Sequence, residues 1–321
     1  MWIRFKYKRV IIYFLVFLII SLISCKGGLY TSKGLYMGTF LIISVDKDHK
    51  GVISKINEKI IEIENKFSRF NENSLTSKIN KNKGEWVKVD DEFIYVLEKA
   101  IYFNKISNNA FNPLVGDIVN EWGFYDGNYK IPNDEILNRL IKEINIENIF
   151  IDKEKKEVKI ISGSLDFGGI VKGYALDKIK EILKENKVKE AIINFGGNVL
   201  VIGNRNFNVG VKNPRGEGII YTFEVKDGFM VSTSGDYENF FIKNGVRFHH
   251  IIDPKTGKPS KSGVIEVSVV SDSGIDGDAL STTLFILGKE KGKDLIKNYF
   301  KKIKVLFVDE NLNKEIIDEK D

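Results

Sequence analysis

Apolar residues recur at helical spacing in several separate stretches of this chain. Val52, Ile53, Ile56, Ile60, Ile63 and Phe67 share one helical face, which predicts a helix over 52–67. Asp90 precedes a second such run and can cap a helix over 92–107. Helices are also predicted over 132–144, with Asn133 near the start, from Val171 to about residue 185, from Asp276 to about 287, and over 293–300. Strand-like runs lie at 41–45, 86–89, 191–195, 208–212, 219–225, 229–233, 265–271 and 305–308. A hairpin is expected from 149–151 and 158–161, around Lys153 to Lys156. The strand at 191–195 is expected to continue through Gly196-Gly197-Asn198 into 199–202. The stretch 67–80 is polar and turn-rich, and the end after Asn311 reads as a frayed edge. Strands adjacent in sequence and mixed with helices predict an α+β fold of mainly antiparallel sheets packed with helices.

One stretch changes period in mid-run. In LDFGGIVKGYALD, 165–177, Leu165 closes a strand-like run, Gly168 and Gly169 break it, and Ala175, Leu176 and Ile179 resume at helical spacing. A glycine turn opening a helix exposes main-chain N–H groups that can bind phosphate, and Lys172 adds a positive charge there. Plain packing of strand on helix uses the same arrangement.

Composition narrows the class. The 321 residues are 43% hydrophobic and 29% charged, an ordinary globular balance. The net charge of +5 is unevenly placed. Arg4, Lys6, Lys8 and Arg9 stand in the first 24 residues with no acid, and the remainder is nearly neutral, with no nucleic-acid footprint. Behind those basic residues runs an apolar stretch from Ile11 to Ile23, short for a membrane span and suited to a secretory signal. LISC, ending at Cys25, resembles a bacterial lipobox. Cys25 is the single cysteine, so no internal disulfide forms. The expected organisation is a lipoprotein signal over 1–24, a lipid-anchored tether over 25–35, one domain over 36–310 and a polar tail over 311–321. The protein is then expected on the extracytoplasmic, periplasmic side of a cell membrane, held by its lipid.

Two further groups carry chemistry. Asp278 and Thr282, four apart on one helix, present a carboxylate and a hydroxyl to one face. Such hard oxygens suit Mg²⁺, which completes its shell with water and phosphate. Helix capping explains the same residues, and Asp276 is a candidate N-cap. His249 and His250 precede a Pro254-containing turn; either a general base or a strand-end surface pair fits them. There is no zinc-type His/Cys spacing and no GxGxxG or Walker loop.

Eight blocks in order, Met37-Gly38-Thr39, FSRFNENS, AFNPLVGDIVNEWGF, LDFGGIVKGYALD, INFGGN, TSGDYENFF, HHIIDPKTGKP and DGDALSTTLFILG, together resemble the ApbE family over about residues 36–288. The resemblance implies a fold related to the T-fold and a Mg²⁺-dependent FAD:protein FMN transferase. Such an enzyme splits the pyrophosphate of FAD and joins FMN by a phosphoester bond to a threonine or serine of an acceptor flavoprotein, such as a membrane redox-complex subunit. AMP leaves. By the same resemblance Met37, Phe70, Ala110, Phe111, Asn112, Gly168, Lys172, Tyr174 and Ile252 would bind FAD. Mg²⁺ would be held by the Val171 carbonyl and the side chains of Asp278 and Thr282, and His250 would take the proton. With an ordinary pKa of about 6.5, that base would lose activity as pH falls through this value. The family commonly has Asp where Asn112 stands and Ala where Val171 stands. Two alternatives are a hydrolase giving FMN and AMP, and a non-catalytic flavin-binding lipoprotein. The paired metal ligands speak against the latter.

Overall fold

Alternation of apolar and polar positions shapes most of this molecule, and the computed structural model describes residues 28–125 and 127–319. The signal segment 1–24 and Cys25 lie outside the described residues. The chain opens with a hairpin, β1 (Leu29–Tyr36) and β2 (Thr39–Asp46). Then come α1 (Val52–Phe67), α2 (Leu75–Lys81), β3 (Val87–Lys88), α3 (Asp91–Ile106), α4 (Gly116–Trp122) and α5 (Asp134–Glu143). β4 (Ile149–Asp152) and β5 (Glu157–Ile160) form a hairpin that joins β3 in a small sheet. α6 (Val171–Glu185) leads into β6 (Ala191–Phe195), β7 (Asn198–Ile202), β8 (Phe207–Lys212), β9 (Ile219–Val225) and β10 (Met230–Gly235). Two short pairs follow, β11 (Phe240–Lys243) with β12 (Val246–His249), and β13 (Ile252–Asp253) with β14 (Lys258–Pro259). β15 (Val264–Ser271), α7 (Gly274–Tyr299), β16 (Ile303–Asp309) and β17 (Lys314–Glu319) complete the described chain.

Eight strands build the main sheet in the order β1-β2-β6-β7-β10-β15-β16-β17, each antiparallel to its neighbour. Its two faces bury different residues, as a period of two requires. Ile43, Ile193, Val267, Val269, Val305 and Phe307 turn to the helical side, among Ile56, Phe93, Ile179 and Leu284. Val201, Val231, Val270, Leu306 and Val308 turn to the other side, where Phe207, Val209, Phe223 and Val225 of the β8–β9 hairpin cover them. The expected α+β fold with mainly antiparallel sheets is what the chain adopts.

Helix ends follow their capping residues. Asp90 accepts from the Phe93 N–H at 2.8 Å and Asn133 from the Glu135 N–H at 2.8 Å. Five expectations need correction. Gly196 and Gly197 have φ of 56° and 89°, a left-handed pair that folds the chain back, so β6 and β7 are a hairpin and not one strand. Within 67–80, Ser74 accepts from the Ser77 N–H at 2.9 Å and starts the short helix α2. Residues 29–35 are no tether but strand β1, paired along its length with β2. The end after Asn311 is not frayed: β17 pairs with β16 from Lys314 to Glu319. The two helices expected after Asp276 are halves of α7, broken at Gly288 with φ 74°.

α6 and α7 run antiparallel and touch through glycine. A Cβ on Gly173 would lie 2.0 Å from the Gly274 carbonyl oxygen, and one on Gly274 would lie 2.3 Å from that of Gly173. Asp177 of α6 locks the crossing by accepting the Gly274 and Ile275 N–H groups at 2.7 and 2.8 Å, capping α7. Gly173→Ala forces backbone against backbone here. It is expected to destabilise the fold by about 1–3 kcal/mol, read as a lower midpoint in thermal or urea unfolding. An unchanged midpoint would mean that the helices do not approach this closely.

Candidate functional site

The glycine crossing puts the first turn of α6 directly against Asp278. That carboxylate is 3% exposed. One oxygen accepts the Gly173 N–H at 2.8 Å and the other the Asn198 side-chain amide at 2.9 Å. Asn198 is itself oriented by the Thr233 N–H, 3.2 Å from its Oδ1. One helical turn on, the Thr282 hydroxyl lies 3.1 Å from Ser234 Oγ, which lies 2.8 Å from Ser281 Oγ. The Gly168-Gly169 turn closes over this group. A Cβ on Gly169 would come within 3.2 Å of both Thr282 Oγ1 and Phe111 Cε2. α6, α7, β7 and β10 therefore converge on one buried carboxylate and a chain of hydroxyls.

This donor set fits a hard cation that brings its own anionic partner. It is all oxygen and holds a single carboxylate, which suits Mg²⁺ with water and phosphate better than a metal caged by protein charges. No cluster of three or more His, Cys, Asp or Glu able to hold a metal occurs among the described residues. Val171, expected to add a main-chain oxygen to this set, is the first residue of α6. Its carbonyl accepts one bond in the helical ladder and keeps a second lone pair. Gly169 is the turn residue in contact with Thr282.

The outer wall of the turn is held by Asp166, which accepts the Gly168 N–H at 2.8 Å and pairs with Arg69 Nε at 3.1 Å. The Arg69 guanidinium also lies 4.7 Å from the ring centre of Phe70 and 5.3 Å from that of Tyr125, with the two rings 4.9 Å apart. Phe70 is 58% exposed. Tyr125 was not anticipated; its hydroxyl stands 3.5 Å from the Cβ position of Gly168. Lys172 donates to the Gly168 carbonyl at 3.2 Å.

His250 approaches from the far side. Its N–H donates to the Asn239 carbonyl at 3.0 Å, and ring Nδ1 lies 3.2 Å from the same oxygen. A carbonyl only accepts, so Nδ1 carries the ring hydrogen and Nε2 keeps its lone pair. Burial pushes the imidazole down to about 4, helped by His249 and by the positive charge of Lys172. That corrects the expectation of a titration near 6.5. Glu238 is a further carboxyl of this wall; burial raises it, and the charge of Lys172 opposes the rise.

Met37 forms the β1–β2 turn with φ 48°, its N–H donated to Glu64 at 3.0 Å, beside the Gly196-Gly197 turn that meets Thr39. Other expected ligands are buried. Tyr174 is 2% exposed and packs among Phe67 and Tyr95. Ala110 and Ile252 are buried, with Ile252 paired to Pro259 in β13–β14. The Asn112 side chain is spent internally: Oδ1 accepts the Leu114 N–H, and Nδ2 donates to Asn109 Oδ1 and to the Ile144 carbonyl, each at 2.7 Å.

Comparison with known proteins places these features in a family. The ApbE family model matches residues 37–307. The FAD:protein FMN transferase of Treponema pallidum is 31% identical over 250 residues, covering 71% of this chain and 69% of its own. The crystal structure of the ApbE protein from Thermotoga maritima superposes with a TM-score of 0.82 at 33% identity, covering 89% of this chain and 96% of its own. The flavin transferase ApbE from Vibrio cholerae gives a TM-score of 0.80 at 25% identity, covering 91% and 97%.

Asn112 yields a prediction of its own. A carboxylate there cannot donate to Asn109 or Ile144 and faces two acceptors. Asn112→Asp is expected to cost about 1–3 kcal/mol at neutral pH, measured by chemical unfolding, with part of the loss recovered as acid protonates the new carboxyl. Unchanged stability would return Asn112 to the list of free ligands.

Proposed function

The chain belongs to the ApbE family, and from that premise we propose that it is an extracytoplasmic FAD:protein FMN transferase. The observation that carries this reading is the convergence of Asp278, Thr282, Gly169 and Lys172 on the first turn of α6, with His250 within electrostatic reach of Lys172 and Asp166. FAD lies with its flavin against Phe70 and its pyrophosphate over the Gly168-Gly169 turn, where main-chain N–H groups and Lys172 meet its charge. Asp278, Thr282 and the Val171 carbonyl would hold Mg²⁺, which when bound neutralises the pyrophosphate.

Nε2 of His250 takes the proton from a serine or threonine hydroxyl of the acceptor protein. The freed oxygen attacks the FMN phosphorus, a new P–O bond forms, and the bond to the AMP phosphate breaks. AMP leaves with the bonding pair, and His250 returns its proton to solvent. Arg69 and Asp166 hold the glycine turn in place throughout. The LISC sequence after an apolar run supports lipid attachment at Cys25 and a site on the outer side of the membrane.

Purified full-length protein, FAD, Mg²⁺ and a membrane fraction should give a protein band with in-gel flavin fluorescence. Asp278→Ala is expected to lower that labelling at least a hundredfold while FAD still binds, and Thr282→Ala to lower it less, because water can replace a neutral hydroxyl. Normal labelling by Asp278→Ala would move the metal elsewhere, with Asp276 next to be tested.

The pH profile gives a separate check. A base must be unprotonated to act, and His250 is held near 4. Activity should therefore stay flat from neutral pH down to about 5 and fall as pH drops through about 4. His250→Ala should lower the rate and remove that limb. A fall centred near 6.5 would show that the imidazole is not desolvated as described.

A further inference from the structure

β11 and β12 form a ribbon that pairs with no other strand among the described residues. Asn244 and Gly245 close it as a two-residue left-handed turn, with φ of 52° and 76°. Counting from that turn, Lys243 with Val246, Phe241 with Phe248 and Asn239 with His250 are the bonded pairs; the His250 N–H, 3.0 Å from the Asn239 carbonyl, agrees. The alternate residues Phe240, Ile242, Arg247 and His249 therefore point their main-chain groups outward, to the ribbon's two edges.

The ribbon is firmly rooted. Phe241 and Phe248 stack at 5.2 Å and rest on Tyr129 and Trp122, 5.2 and 5.6 Å away. At the root, the Asn239 side-chain amide donates to the Phe124 carbonyl at 3.0 Å. The same root carries His250, and the adjoining loop carries Tyr125 beside Gly168. Further out, Ile242 is 62% exposed on the face it shares with Phe240 and Arg247, and Val246 is exposed on the opposite face, with Phe241 and Tyr129.

We propose that this ribbon is the docking strand for the acceptor protein. An extended segment bearing the serine or threonine adds along its open edge, over Ile242, and brings its hydroxyl to Nε2 of His250. The inference rests on the transferase reading above. Unpaired main-chain N–H and C=O groups in a row match a polypeptide, and strand addition is the recognition mode they support. Whatever lies along this ribbon ends beside the base, where the reaction requires a polypeptide hydroxyl.

The test separates two nucleophiles. Full-length protein is incubated with FAD and Mg²⁺ and the FMN released to water is measured, and adding a membrane fraction of the source cells reports covalent transfer as a fluorescent band. Ile242→Asp should lower the band at least tenfold at limiting acceptor while FMN release to water stays within twofold. Ile242→Val should keep both. An unchanged band in Ile242→Asp overturns the proposal, and so does a parallel loss of band and FMN release, which would mark a structural effect. FMN release by the wild type with no labelled protein at all would instead sink the transferase reading.

Discussion

The close crossing of α6 and α7 at Gly173 and Gly274 is the constraint on which the rest of the site depends. Any side chain at either position would part the helices. With both absent, a main-chain N–H of α6 reaches the Asp278 carboxylate, and Asp177 reaches back to cap α7. One contact thus sets the depth of the carboxylate, the position of Thr282 one turn later and the seat of the Gly168-Gly169 turn above it. The energetics favour such a device, because a buried carboxylate must be met by donors, and here a helix N-terminus and Asn198 supply them.

The sheet places this construction at one end. The turns Met37-Gly38 and Gly196-Gly197 and the end of β10 at Gly235 lie together, since β2, β6, β7 and β10 pair in antiparallel register. β1 enters from the opposite end. At about 3.3 Å per residue, its eight residues separate Leu29 from the site by roughly 25 Å. A domain tethered through Cys25 would then hold its reactive end away from the point of attachment, and the aromatic wall and the β11–β12 ribbon stand at that reactive end.

Much of this was legible in the chain. The helical period of 52–67 and the caps Asp90 and Asn133 located their helices because the signal was local. The period change at Gly168-Gly169, and the Asp278–Thr282 spacing, marked two elements whose meeting no local pattern could show. What stayed hidden was long-range. Asn198 and Ser234 serve the site through strand pairing, and Tyr125 through a loop that folds back on Gly168. Tyr174 packs among Phe67 and Tyr95, a burial that its place one residue beyond Gly173 does not report. The Gly196-Gly197 reversal was written in its glycines, yet an apolar run on both sides disguised it as one strand. β17 was masked by its charges, which an edge strand carries on its open side. The low pKa of His250 comes from burial among distant segments, which sequence spacing does not report.

The central claim is that the crossing of α6 and α7 builds a single metal-and-pyrophosphate site. Anomalous diffraction from crystals grown with FAD and Mn²⁺ in place of Mg²⁺ tests it most directly. The account predicts one metal peak bounded by the Asp278 carboxylate, the Thr282 hydroxyl and the Val171 carbonyl, touching a pyrophosphate that lies over the first turn of α6. A peak at Asp276, or FAD bound with its pyrophosphate away from the Gly168-Gly169 turn, would contradict it.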